Sequence, residues 1–466
     1  MELQMCYDDA SWEQFDHISD NWLRQFLNID VKRPIAEFIL KHDSGEDPEF
    51  TILQKGSFNI TLKMKYTYNA TDIRFSQPGA VLFPEEKVRN EVAVMRCISD
   101  QTSIPLPFIL RSGTKMESPL NLGPFIMMSH IEHTTTMYDA LNIPGCSNQT
   151  RGILDPDIDE IKLQMLYTQL AKTLLQLFKP EFPKIGSLSQ VDDFSWEVTN
   201  RPLSMNMNEL PWHGSIYSIC FIKGMMRSSL HVIAAGNLWQ DSYYQLAKDK
   251  KLFLCDKEVE NGPFRLWCDD FRPANILLHD DMQVAGVIDW EFTYAAPAVF
   301  SYAPPWWLLI EKPENWTEGI EDWARVFNYR LKTFLKTMRH CEDMAPQPDK
   351  HRISDQMQRS WESGDFWVVY ATLNSFAFDA IYWQNIDPRF FGPTKTNDPS
   401  DAWKERLHLL DDTQRGEMEG LVTKKLEEME DRVLAWDPDE YTEEFCQELK
   451  RRREEKAEEN GCETED

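Results

Sequence analysis

Asp270, Asn275 and Asp289 stand around two runs of Leu, Val and Ile in LWCDDFRPANILLHDDMQVAGVIDWEF, residues 266–292. Carboxylates beside strand-like segments cost desolvation free energy unless something pairs with them. Two uses fit such residues: Asx side chains that cap turns, or oxygen ligands that hold a cation. The strands expected at Ile276–Leu278 and Val284–Ile288, joined through His279, Asp280 and Asp281, would fold back and carry Asn275 toward Asp289. Oxygen ligands one hairpin apart suit a hard cation such as Mg²⁺. Asp270 then remains to accept a hydroxyl proton, with Arg272 available for a transferring phosphoryl group.

These residues need elements to position them. Trp12, Phe15, Ile18, Trp22 and Phe26 recur as a helical apolar face near the start of the chain. Three β-rich pieces follow, FTILQKGSFN, ITLKMKYTYN and ATDIRFSQPG. The second alternates Ile60, Leu62, Met64 and Tyr66 with Thr61, Lys63 and Lys65, as a half-buried strand does. Turn residues at Gly56, Ser57 and Asn69 make the three an antiparallel meander. FPEEKVRNEVAVMRCISD has Pro84 and two glutamates where a helix would start. Its apolar stripe is Val88, Val92, Met95 and Ile98. Glu91 falls on that stripe, an expensive place for a carboxylate without a cation. Lys87 at i−4 is one partner for it and Arg74 another. LNLGPFIMMSHIEH reads as a buried strand, and from about residue 135 to 250 the pattern is mostly helical.

Composition narrows the function classes. The chain has 466 residues, 42% hydrophobic, enough for more than one core. Its net charge of −28 repels nucleic acid and anionic membranes. That acidity favours an acceptor carrying an amine. Nine cysteines without a CxxC pair read as free thiols in a reducing compartment. The opening MELQMCYDDASWEQFD has neither a basic segment followed by an apolar one nor the character of a transit peptide. No apolar run approaches a membrane span, so a cytoplasmic protein is expected. No histidine spacing suggests a zinc site.

The run D-F-R-P-A-N from Asp270, the short hairpin and the following Ile288-Asp289 resemble the catalytic loop and metal-binding aspartate of the protein-kinase-like fold. FPEEKVRNEVAVMR, GPFIMMSHI, RLWCDDFRPANILL and GVIDWEFTYAAPAVFSYAPPWWLL are similar to the aminoglycoside phosphotransferase and choline-kinase branch, particularly its fungal phosphotransferase-family members. The resemblance covers roughly residues 50 to 440. It implies an α+β fold of two lobes, a small antiparallel-sheet N-lobe and a large mostly helical C-lobe. The corresponding division is a helical extension at 1–50, a nucleotide-binding lobe at 51–134, a catalytic and acceptor-binding lobe at 135–445 and a charged tail at 446–466.

The same resemblance implies ATP and Mg²⁺ as cofactors and a small hydroxylated molecule as acceptor. Asp270 corresponds to the catalytic base, and Asn275 and Asp289 to the magnesium ligands. Gly56, Ser57 and Phe58 fall where a turn covers the phosphates, and Arg74 where a lysine usually anchors them. Glu91 matches the helix-borne partner of that cation. Met128, Ser129 and Ile131 fall at the hinge beside adenine. Three positions depart from the pattern: Cys268-Asp269 replaces His-Gly, Arg74 replaces lysine, and Glu291 stands where protein kinases have glycine. An arginine still holds phosphate or carboxylate through two donors. A second reading of these departures is a kinase-like nucleotide-binding protein that has lost turnover.

Overall fold

A computed structural model describes residues 9–145, 151–206, 262–345, 352–374 and 377–395, with short pieces between 405 and 451. The chain starts with α1 (Asp9–Gln25) and α2 (Ile29–His42). Asn28 caps α2, its side chain accepting from the Asp30 backbone N–H at 3.0 Å. Phe15, Ile18, Trp22 and Phe26 are all buried, as the helical spacing requires.

These helices rest on a five-stranded sheet built from β1 (Glu49–Lys55), β2 (Asn59–Lys65), β3 (Ala70–Ser76), β4 (Ile109–Gly113) and β5 (Phe125–Ser129). The spatial order is β1-β2-β3-β5-β4, with every neighbour antiparallel. Ile60, Leu62 and Met64 point inward and join Trp22, Phe26, Ile35 and Ile39 in one core. Thus α1 and α2 share their packing with the sheet. Between β3 and β4 runs α3 (Pro84–Gln101), with Pro84 and two glutamates in its first turn. Val88, Val92 and Met95 of α3 belong to the core of the large lobe, so this helix joins the two parts of the molecule.

In the second lobe, β6 (Thr135–Thr136) and α4 (Met137–Leu141) precede α5 (Glu160–Leu177), which Asp159 caps through the Lys162 backbone N–H at 2.9 Å. The short strand β7 (Glu181–Phe182) is followed by a hairpin of β8 (Ser187–Asp192) and β9 (Ser195–Asn200). This hairpin corrects the expectation of mostly helical structure from 135 onward. Leu188 and Val198 are buried in the core and Trp196 packs against it, but the strands are short and otherwise polar, so their alternation is brief. Its position is fixed from outside, by the Asn90 side chain of α3 accepting from the Leu188 backbone N–H at 2.9 Å.

The stretch around Asp270 and Asp289 opens on β10 (Phe264–Cys268), continues through β11 (Ile276–Leu278) and β12 (Val284–Val287), and ends on β13 (Thr293–Ala296). β10 lies between β13 and β7, while β11 lies between β12 and β6. Beyond them lie α6 (Ala298–Tyr302), α7 (Ile320–Asp343), α8 (Ile353–Ser363) and α9 (Asp365–Leu373), followed by short helical segments from Phe378 to Phe391. Its centre is aromatic: Trp323 stacks on Phe327 at 4.4 Å and on Phe366 at 6.0 Å between ring centroids. The architecture is α+β and two-lobed. Among the described residues no helix is long and apolar enough to cross a membrane. Nearly all of the segment from 206 to 261 and most of the charged tail at 446–466 lie outside the described residues.

Candidate active site

The β11–β12 hairpin is closed at its open end by the Ile288 backbone N–H, which donates to the Asn275 carbonyl at 3.0 Å. That bond continues the register of Ile276 opposite Val287 by one pair and brings the residues flanking the hairpin together. Asn275 donates through Nδ2 to the Asp270 carboxylate at 3.2 Å and to the Asp270 carbonyl at 2.8 Å. Its side-chain oxygen is thereby turned to other use. Arg272 donates through Nε to the other Asp270 oxygen at 2.8 Å. Both oxygens of the Asp270 carboxylate are therefore held. Phe271, between them, anchors the loop by packing on Trp290 and Trp307.

Burial raises the Asp270 pKa, and the neighbouring Arg272 charge opposes that rise. A carboxylate shifted upward is a better proton acceptor than one in water. Asp289 has a backbone φ of 69°, strained for a residue with a side chain. The Cys268 Sγ donates toward its carbonyl at 3.9 Å. Burial, with Glu291, Asp270 and Glu91 adding negative charge, pushes the Asp289 carboxyl up to about 8. Crowded acids of this kind suit a divalent cation, which would hold the carboxylate ionised.

Arg74 of β3 supplies the cation facing these acids. It pairs with Glu91 of α3, and it also donates to Asp289 Oδ1 at 3.0 Å. One guanidinium therefore ties the small-lobe sheet, its helix and the end of the hairpin. The local pairing of Glu91 with Lys87 is not formed. Lys87 instead reaches Glu291 and donates to Asn59 Oδ1 at 2.9 Å, while Asn59 Nδ2 donates to Glu291 at 2.8 Å. Burial works to raise the Glu291 pKa, yet Lys87, Arg74 and Asn59 hold it below the ordinary value. Lys87 and Asn59 were not singled out as site residues by their spacing, because their partner lies more than 200 positions later in the chain.

Gly56 and Ser57 form the turn between β1 and β2, and both border a cleft of 1140 Å³ between the lobes. Phe58 also borders it, but its ring is buried edge-on against Phe292 at 5.0 Å. Met128, Ser129 and Ile131 border the same cleft where β5 leaves the small lobe. Ser129 is tied in both directions to Phe108, and His130 Nδ1 lies 2.8 Å from Asp72. Ile131 leans on Gly286 of β12 so closely that a β-carbon there would come within 2.2 Å of it. Every residue expected to act at the site thus borders one cleft: Asp270, Arg272, Asn275 and Asp289 along its floor, Arg74 and Glu91 opposite.

The Cys268-Asp269 pair has a structural explanation. Cys268 is buried, and burial raises its pKa well above the ordinary thiol, which disfavours a nucleophilic thiolate. Asp269 accepts from Trp267 Nε1 at 2.7 Å, the Met205 backbone N–H at 2.8 Å and the Tyr294 hydroxyl at 3.1 Å. Burial pushes its carboxyl up to about 6 despite those three donors. It joins β10, β13 and Met205 directly before Asp270.

Residues 234–331 match the model of the phosphotransferase enzyme family, a span that takes in all four residues of the cleft floor. Among solved structures the chain is similar to the aminoglycoside phosphotransferase APH(4)-Ia, at 14% identity over 75% of this chain and 97% of that one, with a TM-score of 0.38. A macrolide 2'-phosphotransferase type I gives 12% identity over 78% and 96%, with a TM-score of 0.37. Spectinomycin phosphotransferase APH(9)-Ia, in a complex with ADP and spectinomycin, gives 10% over 81% and 94%, with a TM-score of 0.36. No curated protein matches the chain.

Proposed function

We propose that this protein is an ATP- and Mg²⁺-dependent O-phosphotransferase acting on a small hydroxylated molecule. The observation that carries the reading is the meeting of Asp270, Asn275 and Asp289 at the base of one hairpin, facing Arg74 across a single cleft. Asp270 takes the proton of the acceptor hydroxyl, and its two oxygens are already oriented by Arg272 and Asn275. Arg272, 45% exposed along its side chain, is placed to meet the transferring phosphoryl group. The Gly56-Ser57 turn covers the phosphates, Arg74 offers them its guanidinium, and Met128 to Ile131 sit beside the base of the nucleotide.

Asn275 and Asp289 would hold magnesium. The acidity of the site fits this assignment, since 28% of the Asp289 side chain is open to the cleft. Bound there, the ion would neutralise the phosphate oxygens as charge develops on them. All three positions needed for base and metal are present, which supports turnover over mere nucleotide binding. Incubation with ATP, Mg²⁺ and a metabolite extract should yield at least one compound heavier by one phosphate. Nucleotide binding without any such product would defeat the reading.

A further inference from the structure

The cleft does not end at Asp270. It continues to α8, α9 and the segment from Ser301 to Lys312 in the large lobe. There its wall presents the half-buried Trp306 and Leu373, backed by the buried Met357, Phe366, Val369 and Tyr370 of the lobe's core. Phe366 and Tyr370 stack with ring centroids 5.8 Å apart. The Tyr370 hydroxyl donates to Glu314 at 2.8 Å, which fixes the ring pair behind Trp306 and Leu373. Trp306 is half-buried, with the Lys312 ammonium 5.8 Å from its ring. Apolar surface removed from water against such a wall contributes about 25 cal/mol per Å².

Charge in the cleft points the same way. Asp72 faces His130, Glu91 and Asp289 face Arg74, Glu291 faces Lys87 and Asn59, and Asp269 has three donors. Asp270 is held by Arg272 and Asn275, and Asp16 lies exposed on α1 at the rim. Among the described residues, the wall from Ser301 to Asn374 presents Lys312 and no carboxylate. An ammonium-rich acceptor would lose hydration there without gaining an ion pair.

We propose that the acceptor hydroxyl is carried on a compact, apolar, ring-bearing skeleton and not on a polyamine. This rests on the phosphotransferase reading and replaces the amine-bearing acceptor expected from net charge. In the transfer step the acceptor oxygen forms a bond to the γ-phosphorus as the bond to the β–γ bridging oxygen breaks. The hydroxyl proton passes to Asp270 and ADP departs.

The test uses the full-length protein with ADP and Mg²⁺, measuring thermal stabilisation by two panels: aromatic and alicyclic alcohols, and polyamine aminocyclitols. Members of the first panel should raise the melting temperature further, and those of the second should not. Trp306→Ala should weaken binding of the responding alcohols about tenfold, a loss of about 1.4 kcal/mol, while Trp306→Phe restores most of it. Stabilisation by ADP and Mg²⁺ alone should be the same in all three proteins, which also shows that each is folded. Stabilisation by the polyamines, by neither panel, or equally in Trp306→Ala would overturn the proposal. Loss of the ADP response in the wild type would instead remove the phosphotransferase reading beneath it.

Discussion

Asp270 is held by side chains that orient it without neutralising it permanently. Asp270→Asn keeps the volume and removes the base, so transfer should fall by about 10²–10⁴-fold. Binding of ATP with Mg²⁺, followed by calorimetry, should be nearly unchanged, because Asn275 and Asp289 are intact. Turnover at the wild-type rate would sink the assignment. Arg74 differs in kind, since it faces two carboxylates. Its side chain is 11% exposed and that of Glu91 only 1%. Arg74→Ala strands a buried negative charge, a change that costs about 3–5 kcal/mol where burial is deep. Both urea stability and ATP affinity should drop, whereas Arg74→Lys should recover part of each. If Arg74→Ala unfolds like the wild type, the pair is not a structural one.

Elements place these side chains through bonds that differ in how far they can be read ahead. The hairpin and its flanking Asn275 and Asp289 were legible, because strand spacing and the D-x-x-P-x-N run lie within 20 residues. The β8–β9 hairpin was not, since its position depends on Asn90 from another element. Glu291 stood out only as a departure from pattern; its binding by Lys87 and Asn59 is a tertiary fact. Asp269 belongs to the same class, and it has a pH signature. Its folded-state pKa is about 6 against an ordinary 3.8. Between those values the folded state binds more protons than the unfolded one, so stability falls as pH rises through the window. Above about pH 6 the effect is complete and flat. Asp269→Asn removes the titration but sets its amide against one of three donors, at a cost independent of pH. Urea midpoints should therefore show the wild type losing ground to the variant from about pH 4 to about pH 6, with a constant difference above. A gap that is constant throughout would show that Asp269 does not titrate there.

At the scale of the molecule, the two N-terminal helices decide how firmly the small lobe stands over the floor of the cleft. Before the structure they read as an extension ahead of the sheet, because their apolar face has no partner nearby in sequence. Trp22, Phe26, Ile35 and Ile39 fill the core on one side of β2, β3 and β5, and the Trp22 indole donates to the Leu122 carbonyl at 3.1 Å. Full burial of such side chains contributes about 1.5–3 kcal/mol each. Ile60, Leu62, Ile73, Phe75 and Phe125 would be exposed by their removal, and a sheet with one naked apolar face is prone to associate. The large lobe keeps its own core around Trp323 and Phe327, which these helices do not touch. Deletion of residues 1–42 should therefore split one cooperative unfolding transition into two, with the small lobe melting first and nucleotide affinity falling with it. Calorimetry of the truncated and full-length proteins, with and without ADP and Mg²⁺, measures both effects. A single transition at the full-length temperature would mean that the sheet stands without its helices.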